Sequence, residues 1–368
     1  MSRRATSAAC LLLVSVLITP FSATSASPLL MSQQIAPDFR LEQVAPNVYA
    51  FISNNTTNFV EDGNTSVIVT QKGVVVVDAP TTYLSERHLA EIRKLTKKPV
   101  VYLINTHFHT DHLLGNHVYR DAFPDMHIIA QDYTKQVADR VEPKVINEEF
   151  RGAAGAKRLE YIRREAEDGI RPSGKPIQGE DREVMKRGYK DFLPVYKAAQ
   201  RTVYVGADMT FGDSLTLDMG DTTIELLHFV GHTRGDTVVF LPKENVLITG
   251  DLIIAPVPYG IEDLTDSWIA SLEKLMAMHA KVVVPGHGEV QFDNAYMQLQ
   301  HDLLQSLMTQ ARRAAGEDAT VDEFKKTVDL RTFEKKLVGN DPGRKWAWDN
   351  YFYDEAVTRA FDIARGAL

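Results

Sequence analysis

Residues 107–112 read His-Phe-His-Thr-Asp-His, which places four side chains capable of binding a metal within six positions. The stretch follows the apolar run Val100–Ile104, which predicts a buried strand that ends at the motif. Burying three imidazoles and a carboxylate is costly unless something binds them, because buried polar groups need partners. The stretch therefore predicts a metal site at the C-terminal end of a strand.

Three further metal-binding side chains follow apolar runs later in the chain. They are His232 in Val-Gly-His-Thr at 230–233, Asp251 in Leu-Ile-Thr-Gly-Asp at 247–251 and His287 in Pro-Gly-His-Gly at 285–288. A glycine precedes each of them, and glycine permits the tight turns and close backbone approach that a crowded site requires. We expect the other histidines to be packing or surface residues: His88, His117, His127, His228, His279 and His301.

In this order, from about residue 48 to residue 290, the motifs resemble those of the metallo-β-lactamase superfamily. The resemblance implies an α/β fold, a four-layer αβ/βα sandwich with two metal ions at one edge of its two sheets. It also implies a ligand set in which Asp251 bridges the two ions. The first ion would be held by His107, His109 and His232, and the second by Asp111, His112 and His287.

Imidazole and carboxylate ligands suit Zn²⁺, and three protein ligands on one ion leave a position for water. The expected reaction is attack of a metal-bound hydroxide on an ester, lactone, thioester or β-lactam amide. Asp111 is also a candidate for orienting the nucleophile or moving a proton. Tyr259, in the loop after Asp251, is a candidate hydrogen-bond donor to a developing oxyanion. Asn64 and Thr57 are weaker candidates for contacting the substrate, which we expect to be a small molecule.

The only cysteine is Cys10, so the chain offers no thiolate for the second metal ion. The ligand set therefore resembles those of the cysteine-free lactamases, the glyoxalase II type and the lactonases. Asp251 favours the last two groups, because the cysteine-free lactamases generally lack a bridging aspartate. Export of the protein would favour a lactamase, since lactam drugs act in the periplasm. The sequence leaves the substrate open.

Residues 1–26 are expected to be a cleaved signal peptide. Arg3 and Arg4 begin it, the apolar stretch 8–19 follows, and Thr24-Ser25-Ala26 is the predicted cleavage site. A retained membrane anchor is the alternative. Removing the two arginines changes the formal charge from −8 to −10. An acidic mature chain argues against nucleic-acid substrates. We expect a periplasmic or secreted protein with no stable membrane association, and the oligomeric state is undetermined.

The mature chain, residues 27–368, is expected to form one hydrolase domain. A helix is predicted at 84–98, a helical insertion at 132–201 and a helical C-terminal extension at 294–368. The insertion would decorate the surface, cover the site or contact another subunit. Strands of one sheet are expected at 48–52, 66–70, 74–78 and 100–104, and strands of the other at 202–211, 214–219, 222–229, 237–241 and 246–249.

Two other classes of protein remain compatible with the motifs. Histidine and aspartate also bind iron and manganese, so an iron-dependent enzyme that uses oxygen is one alternative. The full set of seven ligands argues against the single-iron type. A periplasmic metal-binding protein without turnover is the other alternative, and the open position expected on the first ion argues for an enzyme instead.

Overall fold

The structure is a computed structural model, which describes residues 39–54, 62–170, 174, 176–177, 179–259 and 265–367. The predicted signal peptide and the candidate Thr57 lie outside these residues. Within them, two β-sheets face each other and helices cover both outer faces. No helix in the part described is long and apolar enough to cross a bilayer.

The first sheet has seven strands in sequence order, antiparallel up to β4 and parallel from β4 to β7. The strands are β1 (Phe39–Ala45), β2 (Val48–Ser53), β3 (Thr65–Thr70), β4 (Gly73–Val77), β5 (Val100–Ile104), β6 (His127–Gln131) and β7 (Met209–Phe211). The second sheet has the order β12-β11-β10-β9-β8. Its strands are β8 (Ser214–Asp218), β9 (Thr223–Phe229), β10 (Asp236–Leu241), β11 (Val246–Ile248) and β12 (Val282–Val284).

Successive side chains along each strand point to opposite faces of its sheet, and the buried ones form three apolar layers. In β4, Val75 and Val77 face the second sheet, whereas Val74 and Val76 face helices α1 (Thr82–Leu95) and α3 (Asn116–Ala122). In β10, Val239 packs between the sheets and Val238 faces the helices on the other side. The predicted four-layer αβ/βα sandwich is therefore confirmed.

One predicted strand is wrong and two strands were missed. The segment 202–211 forms a strand only at Met209–Phe211, and that strand pairs with β6 in the first sheet. The strands β1 and β6 were not anticipated, since β6 has only a short apolar core. The chain from residue 110 to residue 122 forms two helices, α2 (Thr110–Leu113) and α3, which are separated at Gly115. A Cβ on Gly115 would lie 1.9 Å from Ser85 Oγ, so close packing against α1 sets that break.

Helices account for most of the segment between β6 and β7. They are α4 (Asp132–Val145), α5 (Ala153–Arg163) and α6 (Gly179–Ala199), with π-helical turns at Ile146–Arg151 and Arg164–Asp168. α6 packs against α1, and Arg201 just beyond it pairs with Glu86 at 2.7 Å.

The C-terminal region packs on the outer face of the second sheet. It follows α7 (Thr265–Ala277) and comprises α8 (Ala295–Gly316), α9 (Val321–Thr327), α10 (Arg331–Leu337), α11 (Pro342–Ala347), a π-helical turn (Trp348–Tyr353) and α12 (Asp354–Ala364). Leu303, Leu304 and Leu307 on one face of α8 are fully buried there, as the spacing of an amphipathic helix requires. The predicted helical C-terminal region is confirmed.

Candidate metal centre

All seven predicted ligands converge at one edge of the two sheets. The motif 107–112 follows β5, and His232, Asp251 and His287 follow β9, β11 and β12. The fold brings together residues separated by more than 170 positions: His112 Nε2 lies 3.3 Å from His287 Nε2. The edge where these strands end therefore carries the site.

Asp251 lies at the centre of the cluster. Its Oδ2 is 3.7 Å from His107 Nε2, 3.5 Å from His232 Nε2 and 3.5 Å from His287 Nε2. Its Oδ1 is 3.2 Å from His112 Nε2. One carboxylate thus faces four imidazoles that follow three different strands, which is the position that a bridging ligand requires.

The first group of ligands is His107, His109 and His232, with Asp251 beside them. The three imidazole rings lie 4.7–4.9 Å apart between centroids and are nearly perpendicular to one another. His109 Nδ1 and His232 Nε2 are 2.9 Å apart. This arrangement aims one nitrogen of each ring at a common point.

The second group is Asp111, His112 and His287. Asp111 Oδ2 lies 3.3 Å from His112 Nε2 and 3.1 Å from His287 Nε2. The Asp111 side chain is 19% exposed, whereas those of the two histidines are almost fully buried. The cluster is therefore open to solvent on the side of Asp111.

The donor chemistry fits a pair of metal ions. His107 Nε2, which faces Asp251, is buried and has no hydrogen-bond partner among the described residues. Buried polar atoms are rarely left in that state, because losing water without a replacement costs free energy. Nitrogen and oxygen donors in groups of three and four match the ligand sets of divalent metal sites.

Burial keeps the histidines of the first group neutral. It lowers the pKa of His232 to about 3 and the pKa of His107 well below its usual 6.5. Neutral imidazoles offer the lone pairs that a metal needs. Burial raises the pKa of the Asp251 carboxyl, but His112 and His287 outweigh burial and hold that pKa well below 3.8. Asp251 is therefore a carboxylate, as a ligand must be.

Asp78 fixes the orientation of His112 without joining the cluster. Its Oδ2 lies 2.8 Å from His112 Nδ1, and its two oxygens accept hydrogen bonds from the backbone N–H and the hydroxyl of Thr106, both at 2.7 Å. The Thr106 hydroxyl in turn lies 3.0 Å from His107 Nδ1. One carboxylate thus steadies a ligand in each group. Asp78 directly follows β4, and Thr106 directly precedes the first ligand, His107.

Glycines let the ligand loops approach one another. A Cβ on Gly286 would lie 1.9 Å from Asp251 Oδ1, and a Cβ on Gly63 would lie 2.4 Å from His112 Cε1. Gly250 has φ +51° and packs against Thr106, so it requires both the conformation and the absence of a side chain. The glycine before Asp251 and the glycine before His287 act as the sequence predicted.

The candidate Asn64 supports the site instead of facing a substrate. Its side-chain amide donates to the carbonyls of Pro285 and Gly288 at 3.0 and 2.9 Å, and its oxygen accepts from the backbone N–H of Ser53. Its own N–H donates to the Gly286 carbonyl at 2.7 Å. Asn64 is buried and its hydrogen bonds hold the loop that carries His287.

The other predicted residues are placed as follows. The Tyr259 ring centroid lies 5.4 Å from that of His287, beside the second group of ligands. His88 and His117 are buried, and His117 Nε2 lies 2.9 Å from the Thr82 hydroxyl, away from the cluster. Asp62, which the sequence did not indicate, is buried and accepts a hydrogen bond from the Thr81 N–H at 2.9 Å.

A family model described as the metallo-beta-lactamase superfamily matches residues 59–287. The linear primary-alkylsulfatase from Pseudomonas sp. is 27% identical over 235 residues, 61% of this chain and 41% of the alkylsulfatase. A metallo-beta-lactamase type 2 from Elizabethkingia meningoseptica is 29% identical over 113 residues, 30% of this chain and 43% of that lactamase. The chain therefore spans less than half the length of either of these relatives.

Two solved structures share the fold. The metallo-beta-lactamase from Pontibacter korlensis is 19% identical with a TM-score of 0.50, and covers 73% of this chain and 99% of its own. The stereoselective inverting sec-alkylsulfatase from Pseudomonas sp. is 16% identical with a TM-score of 0.56, and covers 88% of this chain and 50% of its own. The family match covers more than half of the chain and includes all seven clustered residues. The chain belongs to the metallo-beta-lactamase superfamily of metal-dependent hydrolases.

Proposed function

We propose that this protein is an exported dinuclear zinc hydrolase that cleaves an ester, thioester, lactone or β-lactam amide. The observation that carries the proposal is the placement of Asp251 between two groups of ligands. A single ion would occupy only one of these groups and leave the other without a metal to bind. Zinc is the ion proposed, because three of the four residues in the first group are imidazoles and the fourth is a carboxylate, which are ligands that suit Zn²⁺.

Some residues of the site would bind the metal ions, and others would orient the reacting groups. When bound, two zinc ions would lower the pKa of a water to about 7 and polarise the bond to be cleaved. His107, His109 and His232 would hold the first ion, and Asp251 lies between them and the residues that would hold the second. Asp111 is partly exposed, so its carboxylate would orient an attacking water. Tyr259 lies beside His287, where its hydroxyl would donate to a developing oxyanion.

Hydrolysis of an alkyl sulfate ester is a second candidate. Its support is that the similarity in fold to the sec-alkylsulfatase extends over 88% of this chain, beyond the 73% shared with the lactamase. The alternatives of an iron-dependent enzyme and of a metal-binding protein without turnover remain to be separated by experiment. Export and a periplasmic location rest on residues 1–26 alone.

The test begins with metal analysis of protein purified without added zinc. Hydrolysis is then measured with p-nitrophenyl acetate, nitrocefin, a homoserine lactone, S-lactoylglutathione and decyl sulfate. We expect two zinc ions per chain and turnover of an acyl substrate. Turnover of decyl sulfate alone would select the second candidate. Loaded protein that hydrolyses none of these would indicate a metal-binding protein, and iron as the resident metal would refute the zinc assignment.

The matched variants are His107→Ala and His127→Ala. His107 lies in the cluster, whereas His127 is half exposed at the start of β6 and pairs with Asp208 at 3.3 Å. We expect His107→Ala to lose metal and hydrolysis while its circular dichroism stays that of the folded protein. His127→Ala should keep both. Unchanged hydrolysis by His107→Ala would end the assignment of the site.

A further inference from the structure

Two tyrosines extend the metal centre outward from His287. The Tyr259 ring lies 5.4 Å from the imidazole of His287 between centroids, and the Tyr351 ring lies 5.8 Å from that of Tyr259. Both side chains are partly exposed. The pair, here called the tyrosine wall, therefore forms a continuous aromatic surface that begins at a metal-binding residue.

Tyr351 comes from the C-terminal region, outside the residues 59–287 that match the family. It lies in the π-helical turn Trp348–Tyr353, which joins α11 to α12. Turns of this type occur frequently at functional sites, because the extra residue per turn redirects side chains. The tyrosine wall is thus completed by a segment that lies outside the residues that match the family model.

The turn is held firmly, so the position of Tyr351 is set before any ligand arrives. Trp348 is 1% exposed and Phe352 is fully buried, with their rings 4.6 Å apart in the core beneath. Tyr353 donates a hydrogen bond to the Lys325 carbonyl in α9 at 3.3 Å. Rigid aromatic side chains bind ligands at a low cost in conformational entropy, and their ring faces favour apolar groups.

We propose that the tyrosine wall binds the apolar acyl or alkyl chain of the substrate, and that Tyr351 sets the preference for chain length. The inference rests on the proposed function, because it assigns the scissile group to the metal centre and the chain to the wall. A short acyl or alkyl chain of the substrate would end beside Tyr259, whereas a longer one would reach Tyr351. The substrate class is therefore an ester or thioester of a medium or long chain.

The test compares p-nitrophenyl acetate with p-nitrophenyl octanoate in three variants. Tyr351→Ala should lower kcat/KM for the octanoate about tenfold, chiefly through KM, and change the acetate less than twofold, since the loss is an apolar contact. Tyr351→Phe should behave as the wild type, because the ring and not the hydroxyl makes the contact. Tyr102→Ala removes a partly exposed ring that lies beside His127, away from the tyrosine wall, so it should not change the ratio of the two substrates.

A binding measurement separates this inference from the proposed function. Titration calorimetry of the zinc-loaded protein with octanoate and with acetate needs no turnover. We expect octanoate to bind more tightly than acetate, and Tyr351→Ala to remove that difference. If the wild type hydrolyses no ester yet shows this pattern, the tyrosine wall stands and the proposed reaction fails. Equal binding of the two carboxylates by the wild type, or an equal effect of Tyr102→Ala, would overturn the tyrosine wall.

Discussion

Asp78→Asn tests how far the second metal position depends on a carboxylate that does not join the cluster. Asp78 Oδ2 accepts a hydrogen bond from His112 Nδ1 at 2.8 Å, so His112 Nε2, which faces Asp111 and Asp251, is the nitrogen available to a metal ion. In the variant, the oxygen that remains can still accept from the Thr106 N–H. The new amide N–H₂ then faces His112 Nδ1 and would donate to it.

The exchange reverses the direction of one buried hydrogen bond. His112 would have to place its proton on Nε2, the nitrogen that the metal requires, or leave the amide N–H unpaired. Loss of an interaction of this kind typically lowers metal affinity tenfold to a hundredfold, about 1.4 to 2.7 kcal/mol. Asp78 has φ +64°, and asparagine tolerates this left-handed conformation as well as aspartate does. Backbone strain therefore does not confound the comparison.

The assay is a zinc titration of metal-free protein against a chromogenic chelator, which resolves two binding steps. We expect the affinity of the ligand group that contains His112 to fall by the stated factor. The group that contains His107, which Asp78 reaches only through Thr106, should lose less affinity. Asp208→Asn is the control, since Asp208 also accepts a hydrogen bond from a backbone N–H and lies beside His127, away from the cluster. Two unchanged affinities would refute the role assigned to Asp78.

Two further variants test the residues that support the site. Asn64→Ala removes bonds to Ser53, Pro285 and Gly288, so we expect a loss of about 2 kcal/mol or more in the free energy of unfolding by urea, and a loss below 0.5 kcal/mol would contradict it. Burial raises the pKa of Asp62 from 3.8 to about 6, so folding favours its protonated form and stability is lost as the pH rises through about 6. Asp62→Asn in chelator-treated protein should therefore raise the unfolding free energy at pH 8, by at most about 3 kcal/mol, and leave it unchanged at pH 4. A lower unfolding free energy of Asp62→Asn at pH 8 would instead show that the folded protein stabilises the charged Asp62 carboxylate.

Local patterns in the sequence predicted much of the metal site. The apolar run Val100–Ile104 predicted β5 to the residue, because a strand buried on both faces needs a continuous apolar sequence. The side chains that end β5, β9, β11 and β12 stood out because polar residues directly after buried strands need a partner. Strand β7 was misplaced, since a strand of three residues at a sheet edge has little periodicity.

The sequence by itself determined which residues are able to bind metal and which segments are buried, because both depend on side-chain chemistry and on periodicity along the chain. Only the tertiary structure decided that Asn64 supports the loop of His287, that Thr106 joins Asp78 to His107, and that Tyr351 reaches Tyr259. Those contacts arise where two sheets and the C-terminal helices pack together. The position of an amide or an aromatic ring along the sequence does not indicate which distant residue it will contact in the folded protein.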